Sequence, residues 1–106
     1  MRSMSEPTYF ILTALLDGPL HGYAIIKRAE EQSGGRVRLA VGTLYGALDR
    51  LAGTGLIAVD REETVGGRPR RYFRITEDGA EAVTEEAKRM ARAARIVFGR
   101  PGTALS

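Results

Sequence analysis

Apolar residues recur at helical spacing three times along the chain, then alternate, then return to helical spacing. Between about Ser5 and Asp17, Leu12, Leu15 and Leu16 stand at i, i+3 and i+4 with Ile11 beside them, the inner face of a helix. Ser5 suits the N-cap, Pro7 sits in the first turn where its missing N–H does no harm, and Gly18-Pro19 ends the segment. A second helix is predicted from about His21 to Ser33, with Ile25, Ile26 and Ala29 inward and Lys27, Arg28, Glu30 and Glu31 outward. Gly34-Gly35 supplies its left-handed stop. A third spans roughly Val41 to Thr54, where Leu44, Leu48 and Leu51 repeat at i, i+4 and i+7, and Gly55 ends it.

The period then changes. Leu56–Glu63 and Arg70–Ile75 carry Leu56, Ile57, Val59, Tyr72, Phe73 and Ile75, and read as two strands around a Thr64–Pro69 loop. A last helix opens at Thr76 and runs to about Phe98, which makes it roughly 33 Å long. Three helices, a hairpin and a long helix predict an α+β chain, mostly α. Residues 1–75 form a winged helix-turn-helix, and residues 76–106 a C-terminal dimerisation helix with a short tail.

Composition removes whole classes of function. With 106 residues the chain fits one small domain, and 43% hydrophobic with 27% charged residues suits a folded one. No Cys excludes a disulfide framework, a thiolate metal site and a cysteine nucleophile. His21 is the one histidine, and no motif supplies it with a nucleophile or an orienting acid, so it reads as a turn or phosphate-adjacent residue. The longest nearly apolar run, Tyr9–Leu16, is far short of the ~18–20 residues of a membrane span, and nothing resembles a secretory leader. The expectation is a cytoplasmic protein that is no enzyme, needs no metal or cofactor and engages no membrane.

Charge points to an anionic partner. Sixteen Lys and Arg against thirteen Asp and Glu leave +3, and fourteen of the cations are Arg, whose planar fork suits phosphate and guanine edges. Val65–Ile75 alone holds Arg68, Arg70, Arg71 and Arg74 with no acid. Strand alternation puts Arg70, Tyr72 and Arg74 on one face and Arg71, Phe73 and Ile75 on the other, so Arg71 reads as a structural stem. Arg36 and Arg38 precede the third helix, at the turn of the helix-turn-helix, where phosphate contact is expected. Turning Leu44, Leu48 and Leu51 inward leaves Gly42, Thr43, Gly46, Asp49 and Arg50 outward, with Tyr45 on the flank. Each glycine costs a helix about 1 kcal/mol relative to Ala, a cost that close approach to DNA would justify and that simple tolerance also accommodates. In the last helix Ala80, Val83, Ala87, Met90, Ala94 and Val97 are spaced 3, 4, 3, 4, 3, a heptad seam that implies a partner helix. The rival is packing back on its own domain.

Leu15-Leu16, Gly18-Pro19-Leu20-His21-Gly22-Tyr23, Gly42-Thr43-Leu44-Tyr45, Ala47-Leu48, Arg50-Leu51, Gly55-Leu56-Ile57, Gly66-Gly67-Arg68-Pro69-Arg70-Arg71-Tyr72 and Thr76-Glu77-Asp78-Gly79 closely resemble the PadR family of transcriptional regulators. The match runs from about Leu12 to Gly79. It implies a bacterial winged-helix protein, usually a repressor, that dimerises through its C-terminal helix. By resemblance, the third helix with Thr43 and Tyr45 meets the major groove, and the Arg68–Arg70 wing tip reaches the adjacent backbone or minor groove. The expected DNA-binding set is Tyr23, Arg36, Arg38, Thr43, Tyr45, Gly46, Arg50, Arg68 and Arg70. The chain departs from the family pattern at Ala40, Val41 and Gly46, where Ser, Pro and Pro are common, which leaves the third helix without a Ser cap and alters what the groove meets.

Many relatives respond to small compounds at the dimer interface, some by stacking a tryptophan on a flat ligand. This chain has no Trp. Tyr9, Phe10, Met90 and Phe98 could line an effector pocket there, and would equally serve as interface core. The reading is therefore a homodimeric repressor on a palindromic operator, with a small-molecule effector as an open question. A winged-helix module that sets its basic hairpin on an acidic protein surface is the rival from another class. A small RNA-binding domain is a third, but it would expose stacking aromatics where the hairpin has only Tyr72 and Phe73, on opposite faces.

Overall fold

The computed structural model describes residues 4–101; the short tail expected at the C-terminus lies, from residue 102 on, outside them. In order they form α1 (Glu6–Ala14), β1 (Leu20–His21), α2 (Gly22–Gln32), α3 (Val41–Gly53), β2 (Ile57–Val65), β3 (Arg68–Ile75) and α4 (Glu77–Phe98). This is the α+β, mostly helical winged architecture that the periodicity predicts.

α1 begins as expected, with the Thr8 amide donating to Ser5 Oγ at 3.3 Å. It stops three residues earlier than predicted, at Ala14, and the chain then turns. Ile11, Leu12, Ala14 and Leu15 are buried, whereas Leu16, expected inside, is 49% exposed because the turn carries it off the helical face. Ile25 and Ala29 of α2, Leu44, Leu48 and Leu51 of α3, and Ile57 and Phe73 of the sheet complete one core.

The sheet has a third strand that periodicity does not predict. Its order is β1-β3-β2, all antiparallel, with Leu20 opposite Phe73 and His21 opposite Tyr72. The hairpin is also longer and its loop shorter than expected. β2 continues to Val65 and β3 starts at Arg68, so Gly66-Gly67 is the whole turn. Both glycines have positive φ, +57° and +78°, the requirement of the two-residue turn whose twist matches that of the strands. Between Val59 and Arg61 the register slips by one residue. Val59 faces Phe73, Arg61 faces Tyr72, and Asp60 is the extra residue of a β-bulge.

α4 is joined to the domain at its first turn. The Thr76 hydroxyl donates to the Gly55 carbonyl at 2.6 Å and accepts from the Gly79 amide at 3.1 Å. The Thr76 amide donates to the Leu56 carbonyl at 3.1 Å. Gly79 is buried here, and a Cβ on it would collide with the Leu56 carbonyl oxygen and lie 2.8 Å from Ile75 Cγ1, so only glycine fits without a shift.

Further along, the expected dimer seam divides. Val83, counted into that seam by its spacing, is 3% exposed within its own domain's core, and Ala80 and Ala87 are half-buried. Packing back on the domain thus accounts for the first half of the helix. Met90, Val97 and Phe98 are exposed at 38%, 55% and 57%, and the molecule is 60 Å along its longest axis. Glu86, 7% exposed, is the charged residue at the boundary; Arg89 donates to both its carboxylate oxygens at 3.0 and 2.6 Å.

Two glycine substitutions should separate packing from backbone entropy. Gly79→Ala forces apart α4 and the Leu56 backbone and should cost about 1–3 kcal/mol or more, seen as a lower urea midpoint. Gly53→Ala, at the end of α3 with nothing within 4 Å of its Cβ, should instead raise the midpoint, by about 0.4–1 kcal/mol.

Candidate nucleic-acid interface

One groove, of about 420 Å³, opens between the start of α2, the exposed flank of α3 and the wing. His21, Gly22 and Tyr23 line it from α2, Tyr45 from α3, and Glu62, Val65 and Arg68–Arg71 from the hairpin. Tyr23 is 71% exposed at its rim. Tyr45 is half committed to packing: a Cβ on Gly22 would lie 2.7 Å from its hydroxyl, so Gly22 leaves room for the Tyr45 ring against the first turn of α2.

The outer face of α3 is as the periodicity predicts. Gly42, Thr43, Gly46, Asp49 and Arg50 are all exposed. Nothing lies within 4 Å of a Cβ built on Gly42 or Gly46, so no contact inside the chain accounts for either glycine. The helix starts at Ala40 without a side-chain cap, the consequence of the missing Ser. Its first amides are left to solvent or to a partner.

The arginines fall into two groups. The four cations of β3 face a strand that carries acids: Arg71 Nε lies 3.6 Å from Glu62 and Arg74 Nε 3.9 Å from Asp60. Arg71 is thus tied to the hairpin itself, consistent with a structural stem. Arg68 and Arg70 are in no ion pair among the described residues, nor are Arg38 and Arg50. Arg38 Nε donates to the Gly35 carbonyl at 3.2 Å. Arg36, whose side chain is 72% exposed, donates to both oxygens of Glu6 at 2.9 and 3.2 Å. It fastens the turn before α3 to the first turn of α1.

The chain matches the transcriptional regulator PadR-like family over residues 11–85. It belongs to that family. Among its relatives, the transcriptional regulator Rv3488 of Mycobacterium tuberculosis is 37% identical over 89 residues, which are 84% of this chain and 79% of that protein. An uncharacterized 37.1 kDa protein in transposon TN4556 of Streptomyces fradiae is 47% identical over 94 residues, 89% of this chain. The chain spans about a quarter, 26%, of that protein's length. Among solved structures, that of Bacillus subtilis PadR in complex with operator DNA has a TM-score of 0.65 at 25% identity, covering 74% of this chain and 44% of that one.

In this PadR-like regulator, His21 has a definite structural post that spacing does not reveal. It is the N-cap of α2, its Nδ1 accepting the Ala24 amide at 3.4 Å, and its ring meets Tyr72 edge to face at 5.5 Å. Burial first, and then the Arg70 charge, hold its pKa below the ordinary 6.5 against the opposing pull of Glu63. Arg61 is the other residue that spacing could not place. Its guanidinium carbon lies 3.9 Å over the Tyr72 ring, and it donates to Glu63 at 3.0 Å and Asp60 at 3.2 Å. Hydrogen bonding to Arg61 in turn holds the Glu63 carboxyl below its ordinary range.

The cap predicts a pH dependence. Protonation removes the lone pair that caps Ala24, and the unfolded chain, with the higher pKa, takes up that proton first. The stabilisation from His21 is therefore complete above pH 6.5 and is lost as pH falls through the lower folded-state value. The urea midpoint of the native chain should drop between about pH 7 and 5, and His21→Asn, which caps without titrating, should show a flatter profile over that interval. Superimposable profiles would separate the cap from stability.

Proposed function

We propose that this PadR-like regulator acts as a homodimeric repressor that lays α3 of each protomer in the major groove of a palindromic operator and sets its wing on the adjacent backbone. The observation that carries this reading is the arrangement around the groove. Tyr45, on the flank of the exposed face of α3, and the two unpaired wing cations, Arg68 and Arg70, line the same opening, while Arg71 and Arg74 are paired with acids of their own hairpin. Free cations beside an exposed helix are what duplex phosphates and base edges require. The structural likeness to Bacillus subtilis PadR, in complex with operator DNA, supports duplex DNA as the partner.

In this reading Thr43, in the first turn of α3, reads a base edge and Gly46 lets the helix sit deep. Arg50 clamps phosphate, since its place toward the C-terminal half and Asp49 beside it keep it from the groove floor. Tyr23 and Arg38 stand on the flanking backbone. Arg36 serves from behind by fixing the turn to Glu6. The second protomer pairs along Met90, Ala94 and Val97, with Ala80 and Ala87 at the edge of the contact. Tyr9, Phe10, Met90 and Phe98 form apolar core at that junction, which is also where a small-molecule effector would enter.

Selection of bound fragments from a random duplex pool tests the reading directly, and an inverted repeat is the expected product. On that operator Thr43→Ala should lose more affinity than on a scrambled duplex, by about 1–3 kcal/mol of discrimination. Arg50→Ala should weaken both at least about tenfold, as removal of a phosphate clamp does. Equal losses for Thr43→Ala would remove α3 from base readout. Changing Arg68 and Arg70 together to Ala should weaken binding to every duplex and lower the salt slope by roughly 0.9 for each phosphate no longer neutralised. Met90→Asp puts a charge into the dimer seam and should shift sedimentation toward monomer; an unchanged dimer mass would move the interface elsewhere.

A further inference from the structure

Across the sheet, one row of side chains joins the wing to the first turn of α2. Arg61 of β2 faces Tyr72 of β3, and Tyr72 faces His21 of β1. The row is in contact throughout: Arg61 caps one face of the Tyr72 ring at 3.9 Å, and the ring meets His21 at 5.5 Å and 90°. His21 in turn holds the Ala24 amide of α2. Glu63 and Asp60 fix the Arg61 guanidinium from the far end.

The bulge at Asp60 makes this row. Without the extra residue, Asp60 would follow Val59 in register and stand opposite Tyr72, presenting an acid to the ring. With it, a cation takes that place, and a guanidinium over a tyrosine face is attractive where a carboxylate is not. The bulge also displaces β2 by one residue relative to β3 from there to the turn, so it sets the path of the tip that carries Arg68 and Arg70.

We infer that Tyr72 is a positioning residue for DNA binding: locked between Arg61 and His21, it holds the hairpin at one angle to α2, so that Arg68 and Arg70 wait over the groove in the place where phosphate arrives. This rests on the proposed DNA-binding function. Arg70 lies two residues from Tyr72, on the same pleat face, and close enough to His21 and Glu63 to act on both their charges. A two-stranded ribbon ending in Gly66-Gly67 has no rigidity of its own at this length. Immobilising its arginines before DNA arrives spares the ordering cost of doing so afterwards.

The test uses the full chain and the duplex recovered by selection. Tyr72→Leu should weaken binding on the order of tenfold and lower the salt slope, roughly 0.9 for each phosphate the wing no longer reaches. Tyr72→Phe, which keeps the ring, should restore both. In a chain already changed to Ala at Arg68 and Arg70, Tyr72→Leu should have almost no further effect on binding. A merely structural role would lower the melting temperature and leave the slope of the folded protein where it was, and that result overturns the proposal. So does an equal loss in the background lacking the two arginines, which would make Tyr72 act on DNA by itself. Should Tyr72→Leu not fold, Arg61→Gln, on an exposed side chain, takes its place, read by amide relaxation at Gly66 and Gly67: faster local motion is expected, and unchanged relaxation overturns the proposal. A native chain that retains no duplex at all fails the DNA-binding reading and this role with it, whereas a native chain that binds while Tyr72→Leu binds identically fails the role alone.

Discussion

The architecture turns on a single joint. The chain passes the same point twice, once leaving α3 for the wing at Gly55-Leu56, and again leaving the wing for α4 at Thr76–Gly79. One hydroxyl, that of Thr76, closes the gap by donating to Gly55 and accepting from Gly79. The backbone of Leu56 lies against the open side of Gly79, where no side chain would fit. α3, the wing and α4 therefore share one foot. None of the three can tilt without disturbing the other two.

Around that foot the charges are divided rather than spread. Asp60 and Glu62 engage three cations of their own hairpin, Arg61, Arg71 and Arg74, while Glu6 engages Arg36 and Glu86 engages Arg89. Except for the pair on the buried Glu86, these are exposed and add little stability, typically under ~1 kcal/mol each. Their effect is one of selection. They decide which arginines of the hairpin are spoken for and leave Arg68 and Arg70 unpaired at the groove that Tyr45 of α3 also lines. A net +3 spread over the whole chain says little about a partner, whereas two unpaired cations at the tip of the wing are the local feature on which the proposed DNA contact rests.

Much of this was legible in the residues. α2 and α3 lie close to their predicted spans because each has a strong inward stripe and a glycine stop, and the absent cap at Ala40 was readable from its side chain alone. β1 was not legible, since two residues carry no period and their strand character comes entirely from Phe73 and Tyr72. The extra residue at Asp60 was hidden for a similar reason: alternation along β2 does not say what stands opposite. Glu6 and Arg36 meet across thirty positions, and no local pattern links them. Val83 shows a different limit. Heptad spacing identifies an apolar stripe and leaves open whether its own domain or a second chain covers it; here the domain takes the first half. Around the groove, the exposure of Thr43, Gly46 and Arg50 on α3 was readable from spacing, but the contacts of His21, Tyr72 and Arg61 depend on three strands meeting side by side.

The division of α4 has a geometric consequence. Its first turns are built into the core through Gly79 and Val83, and the same uninterrupted helix of 22 residues carries the exposed Met90, Val97 and Phe98 at its other end. There is no glycine or proline between Val83 and Val97 at which it could bend. In the proposed dimer such a rod works as a ruler. The distance and twist between two recognition helices are read off from how two rods cross, and a rotation of a few degrees at the crossing is carried, magnified by the length of the arm, to the far ends. Anything that alters the crossing, a ligand or a changed side chain, would alter the spacing of half-sites the pair can span without touching a single residue that meets DNA.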